Sequence, residues 1–413
     1  MINYQKRILD NGLTVIVEQD KSTTLAAVNV LYKVGSRNED PGKTGVAHLF
    51  EHLMFEGSLN APDFDNPLQL AGGENNAFTN SDYTNFYDLV PAYNIETALW
   101  LEADRMSQLS INQPSLDLQK KVVIEEFKEV CLNKPYGDNW HHLSALAYEK
   151  HPYKWPTIGV DISHIASTTL ADIQHFYDTY YNPTNAILTV SGPLSYDEVF
   201  ALAEKWFGSI RGQAGASSSL PQEEDQCKVR YKKVEGPVPA PMLLIGCHMP
   251  GRRHKDYYAC DLLTDILSNG RSSRLHRRLV REKKIFTSVD CYISGSIDPG
   301  LILIEGKAHH EVSTEDSLAS MWTELGQIST VPPSQRELQK VKNKALSSIA
   351  MHDLSILNKA ASLAYFELID MLDQINEQEA LYNEVTIDDI IRVSESYLHR
   401  NNASIIEYVP QAV

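Results

Sequence analysis

Residues His48-Leu49-Phe50-Glu51-His52 read H-x-x-E-H, and no other stretch restricts this chain as tightly. On a helix, positions i and i+4 lie one above the other on one face, so His48 and His52 point the same way. Two neutral imidazoles so placed can share a zinc ion, with Glu51 beside them to handle a proton. The order is the reverse of the commoner H-E-x-x-H zinc helix.

The flanking residues predict that helix. Gly42-Lys43-Thr44-Gly45 is a loop leading into a helix start. Val46, Leu49, Phe50 and Leu53 follow the spacing of a buried stripe, with His48, Glu51, His52 and Phe55 as a second stripe beside it. Gly57 then supplies a stop. Three ionisable groups on a buried helix need partners, and one metal ion per chain satisfies all three.

A chain of 413 residues is too long for one ordinary domain, so two are expected. No apolar run reaches the length of a bilayer span, so no membrane is expected as a partner. The polar, basic start, Met1 to Asn11, shows no signal peptide. The five cysteines, at 131, 227, 247, 260 and 291, form no C-x-x-C pair. A reducing compartment, the cytoplasm, fits them best. A formal charge of −17 argues against a nucleic-acid partner.

The small, polar segment Gly212 to Gln222 reads as a linker, giving domains 1–211 and 223–413. The two parts look duplicated. The segment from Thr169 overlays the one from Thr386 at a constant offset, matching Asp172 with Asp389, Tyr180 with Tyr397, and Asn185 with Asn402. Each copy reads as a capped helix, a turn at the Asn and an apolar strand. At that offset the zinc helix lands near Asp261 to Leu267, where there is no histidine, so only the first half can carry the metal.

Strands are expected at Leu13–Val17, Ala26–Val34 and Met242–Cys247, with a hairpin signal at Asn11-Gly12. Helices are expected at Asn94–Leu109, Ser115–Leu132, Tyr257–Leu267 and Pro333–Met351. The mixture predicts an α+β fold of two homologous domains, each a mixed, mostly antiparallel sheet with helices packed on one side.

Catalytic zinc usually keeps three protein ligands and one open position. The helix Ser115–Leu132 offers Glu125, Glu126 and Glu129. Glu126 and Glu129 share a stripe with Leu118 and Val122, an odd place for a solvated acid, whereas Glu125 faces elsewhere. Spacing alone leaves Glu126 and Glu129 open.

Taken together, these residues resemble the pitrilysin/insulinase family, in its branch near the mitochondrial processing peptidase. The match rests on His48 to His52 followed by Met54-Phe55-Glu56-Gly57, on Gly72-Gly73-Glu74-Asn75-Asn76-Ala77-Phe78-Thr79, on Val122 to Glu126, and on Gly270 to Leu275. The resemblance implies a zinc-dependent endopeptidase that cleaves unfolded peptides inside a chamber formed by two domains or subunits. It implies Glu126 as third ligand and Glu51 as the catalytic base. Asn76, Ala77, Phe78 and Thr79 would be an edge strand that holds the substrate by strand addition.

Two positions depart from the family pattern. A supporting glutamate is expected seven residues before the third ligand, and Gln119 stands there. Arg281 fits an arginine that holds the substrate carbonyl, but Thr287 stands where its tyrosine partner is expected. The resemblance therefore implies either a homodimer or a heterodimer with an Arg/Tyr-bearing homologous subunit. Two rival readings are a non-catalytic assembly subunit, which the intact motif opposes, and a small-molecule hydrolase, which the extended Gly72 to Thr79 segment opposes.

Overall fold

The computed structural model describes residues 1–213 and 220–411, so the expected linker lies largely outside the described residues. The chain forms two compact units. The first comprises 1–127, 155–220 and 350–376, and the second 128–154, 221–349 and 377–413.

Among the described residues, six strands, all from the first half of the sequence, build the first sheet. They are β1 (Tyr4–Ile8), β2 (Thr14–Gln19), β3 (Leu25–Tyr32), β4 (Glu74–Thr79), β5 (Thr84–Pro91) and β6 (Ala186–Gly192), in the order β1-β2-β6-β3-β5-β4. Only β2 and β6 run parallel. Gly12, at φ 91°, makes the turn between β1 and β2 that Asn11-Gly12 predicts. The second sheet contains β7 (Arg230–Gly236), β8 (Met242–Met249), β9 (Phe286–Ile293), β10 (Gly300–Ala308) and β11 (Ala403–Pro410), ordered β7-β11-β8-β10-β9. Its one parallel pair is β7 with β11. Without β1, the two sheets have the same order and the same pairing senses.

The duplicated segments agree in detail. Thr169 with Asp172, and Thr386 with Asp389, each form a capping box at the start of a helix. Asn185 and Asn402 then each donate a side-chain N–H to a carbonyl five residues back, that of Tyr180 or Tyr397, at 2.9 Å.

The units are not the two contiguous halves expected from the linker. Each takes a helix from the opposite half of the sequence, and that helix packs on one face of the unit's sheet. In the first unit, Leu363, Ala364 and Phe366 of the helix Ile356–Leu368 pack with Ile16, Leu31 and Ile187. In the second, Leu143 and Ala147 of the helix Asn139–Ala147 pack with Leu244, Leu303 and Ile406. Gly246 makes room there, since a Cβ on it would lie 3.2 Å from Leu143 Cδ1. Alternation along each strand sends the other set of side chains to the opposite face. Val28, Val30 and Tyr32 go there in β3, all fully buried. Among the described residues, no helix is long and apolar enough to cross a membrane.

Candidate metal centre

The H-x-x-E-H segment lies on the helix Val46–Leu53, whose stripe Val46, Leu49, Phe50 and Leu53 is buried as its spacing predicts. Phe50 anchors that stripe against Tyr181, with ring centroids 4.2 Å apart, and Tyr181 in turn meets Tyr32 of the sheet. The helix ends before Gly57, which turns the chain at φ 105°. Beyond it, Asp104 holds the loop by accepting the Ser58 hydroxyl at 2.5 Å and the Asn60 backbone and side-chain N–H groups at 2.9 and 2.6 Å.

This packing leaves His48 and His52 beside Glu126 of the helix Gln113–Phe127. Glu126 Oε2 lies 3.7 Å from His48 Nε2 and 3.6 Å from His52 Nε2. One ligand atom from each of His48, His52 and Glu126 falls within 4.8 Å of the others. Donors about 2.1 Å from a shared tetrahedral centre sit about 3.4 Å apart. Two imidazoles and a carboxylate at these separations fit a zinc ion, with one of its four positions left to water or substrate. Burial, with His52 beside it, holds His48 down to about 4, so its imidazole is uncharged at neutral pH and free to ligate. Its Nδ1 is buried with no hydrogen-bond partner among the described residues.

Glu51 is half-buried on the same helix and accepts the Thr79 hydroxyl at 2.5 Å. Burial raises its carboxyl above the usual range, the Thr79 hydrogen bond opposes that rise, and the charge of Glu126 adds to it. Thr79 ends β4, which pairs only with β5 among the described residues and so presents a free edge. Asn76, Ala77 and Phe78 precede it on the same strand, and the Ala77 N–H turns to the Asn76 side-chain oxygen at 2.8 Å.

The remaining acids separate. Glu125 is exposed, as expected. Glu129 is exposed as well, and belongs to the second unit, in the wider turn Lys128–Leu132. The stripe argument for Glu126 does not hold, because Leu118 and Val122 are 53% and 42% exposed. The buried face of that helix is Leu116, Val123 and Phe127, and Glu126 borders it. Gln119 donates its amide to Glu56 Oε1 at 2.5 Å, while its own oxygen is buried without a partner among the described residues.

Arg281 and Thr287 both stand in the second unit. Arg281 is exposed near the end of the helix His276–Glu282. The Thr287 hydroxyl donates to the Lys307 carbonyl at 3.0 Å.

One residue escaped the sequence reading. Glu39 is 8% exposed and accepts the Gly45 N–H at 3.0 Å and the Ala47 N–H at 2.7 Å, at the start of the motif helix. A signal was present: Gly45 has no side chain to cap the helix it begins, so an acceptor had to come from elsewhere.

Comparison with known proteins agrees with this fold. Residues 14–161 match the family model described as insulinase (peptidase family M16), and residues 167–345 the model described as peptidase M16 inactive domain. A relative from Helicobacter pylori named zinc protease PqqE is 29% identical over 98% of this chain and 93% of its own. The probable mitochondrial-processing peptidase subunit beta of Schizosaccharomyces pombe is 27% identical over 71% of this chain and 66% of its own. A solved structure described as a protease from Helicobacter pylori superposes with a TM-score of 0.93 at 28% identity, covering 99% of this chain and 100% of that one. Two family models in register along most of the sequence, on the fold such proteins share, make this chain a member of the pitrilysin/insulinase family, peptidase family M16.

Proposed function

We propose that this chain is a zinc-dependent endopeptidase acting on unfolded peptides. The observation that carries the reading is the convergence of His48, His52 and Glu126 beside Glu51, next to a strand with a free edge. His48, His52 and Glu126 would hold one zinc ion. When bound, zinc supplies a Lewis acid of the kind that polarises a carbonyl and brings the pKa of water to about 7.

The chain's own groups do the rest. Glu51 accepts the proton of the attacking water and returns it to the departing amine nitrogen. Thr79 orients the Glu51 carboxylate through its hydroxyl. Asn76 to Thr79 hold the substrate as an added strand, through backbone groups common to every peptide. That mode suits unfolded substrates and loose sequence preference. Arg281 is a further proposed substrate contact.

The same reading includes a partner, either a second copy or a homologous subunit with an Arg/Tyr pair. Thr287 supports it, since its hydroxyl is engaged by Lys307 and offers nothing in place of the tyrosine. Five cysteines without disulfides, four of them buried, suit the cytoplasm. A second reading, a subunit without activity of its own, draws on Thr287 and on Gln119.

The test uses the purified chain, with zinc content and cleavage of a fluorogenic unfolded peptide measured on one sample. Glu51→Gln is expected to retain zinc and lose at least about 100-fold in cleavage. Cleavage that survives the change removes Glu51 as base. A zinc-loaded wild-type chain that is inactive alone selects the partner-dependent reading.

A further inference from the structure

We infer that Glu39 is a positioning residue for the metal centre, acting as an external cap that fixes the rotation of the ligand helix. The inference rests on the proposed zinc site and concerns what holds that site in shape.

A helix start leaves backbone N–H groups without partners, and a side chain at the first position usually accepts one of them. Gly45 begins this helix and makes no side-chain cap. It is also confined to glycine, with φ at 89° and the Ile158 carbonyl 2.9 Å from where a Cβ would stand. Glu39 supplies the missing acceptor from six residues earlier. One carboxylate oxygen takes the Gly45 N–H and the other takes the Ala47 N–H. Both oxygens are thus committed to the turn that contains His48.

Glu39 is itself held firmly. The Arg37 guanidinium, two residues before it, meets Asp82 at 2.7 Å. The Trp155 indole donates to the Ser36 carbonyl at 2.8 Å. The loop is therefore anchored on two sides before it reaches the helix.

The geometry explains why this matters for zinc. Turning a helix by about 10° moves an atom at its rim, about 5–6 Å from the axis, by about 1 Å. Zinc sites tolerate departures of about 0.2 Å in ligand distance. A first turn left free to rotate would carry the His48 Nε2 out of range of the centre shared with His52 and Glu126.

The test measures zinc affinity by competition with a chromophoric chelator, with thermal unfolding of the zinc-free chains as a control. Glu39→Ala is expected to weaken zinc binding about 10–100-fold, the usual effect of losing a group that orients a ligand. Glu39→Gln keeps the shape but offers one acceptor for two N–H groups, so an intermediate loss is expected. It also decides the matter if the alanine variant does not fold. In both variants, peptide cleavage should return at saturating zinc with KM unchanged. Zinc affinities within about two-fold of wild type in the folded variants overturn the inference. A wild-type chain that takes up no zinc overturns the metal centre itself.

Discussion

Lys359 gives the sharpest test of how the first unit is assembled. It lies on the helix Ile356–Leu368, which reaches the first sheet from late in the sequence, and it is 7% exposed. Its ammonium meets Glu18 Oε1 at 2.8 Å and Asp20 Oδ2 at 2.5 Å. Glu18 is 6% exposed, and its other oxygen has no hydrogen-bond partner among the described residues. In Lys359→Met the helix keeps an apolar stem, but Glu18 is left as a buried charge without its cation. Removing one partner of a buried pair typically destabilises by about 3–5 kcal/mol. Asp20 sits at the rim and can rehydrate, so about 3 kcal/mol is expected. Urea unfolding at pH 7 would measure it. In a unit of this size the matching drop in Tm is about 6–12 °C.

The pH dependence provides a second readout of the same contact. The hydrogen bond from Lys359, aided by Ser22, holds the Asp20 carboxyl at about 2, below its ordinary 3.8. A folded-state value below the unfolded one adds stability at pH above about 4, and that stability is lost as the pH falls toward 2. Allowing for solvent screening at the rim, the loss is about 1–2 kcal/mol. Wild type should show it between pH 4 and pH 2, and Lys359→Met should show less. A destabilisation below about 1 kcal/mol at pH 7, with an unchanged acid profile, would refute the reasoning.

Further predictions concern the metal centre. Glu126→Ala should lose most of its zinc in an elemental analysis of the dialysed protein, whereas Glu129→Gln should keep a full equivalent; zinc lost only from the latter would reverse the choice between them. Thr79→Val removes the hydroxyl that orients Glu51, so kcat should fall about 10-fold with zinc content unchanged, as read by steady-state peptide cleavage.

The features legible in the sequence are those set by spacing along one element. The histidines of the motif share a face because four residues make about one helical turn. The boxes at Thr169 and Thr386 bind partners three residues away, and both formed where the pattern placed them. The duplication likewise foretold two sheets of one topology. The free edge of β4 follows from where its strand falls in the sheet order, and the sequence pointed to it only through resemblance.

Tertiary structure decided what depends on distant segments meeting. Leu118 and Val122 have the periodicity of a buried stripe yet are exposed, because the helix Gln113–Phe127 packs through Leu116, Val123 and Phe127 instead. Periodicity marks a face of a helix, and only its neighbours determine whether that face is covered. The helices Asn139–Ala147 and Ile356–Leu368 carry no local sign that each belongs to the unit built mainly from the opposite half. Glu39 reads as one more loop acid until the fold brings the uncapped start of the motif helix against its carboxylate. Spacing along the chain thus determined which groups could act together, and packing between remote segments determined which of them do.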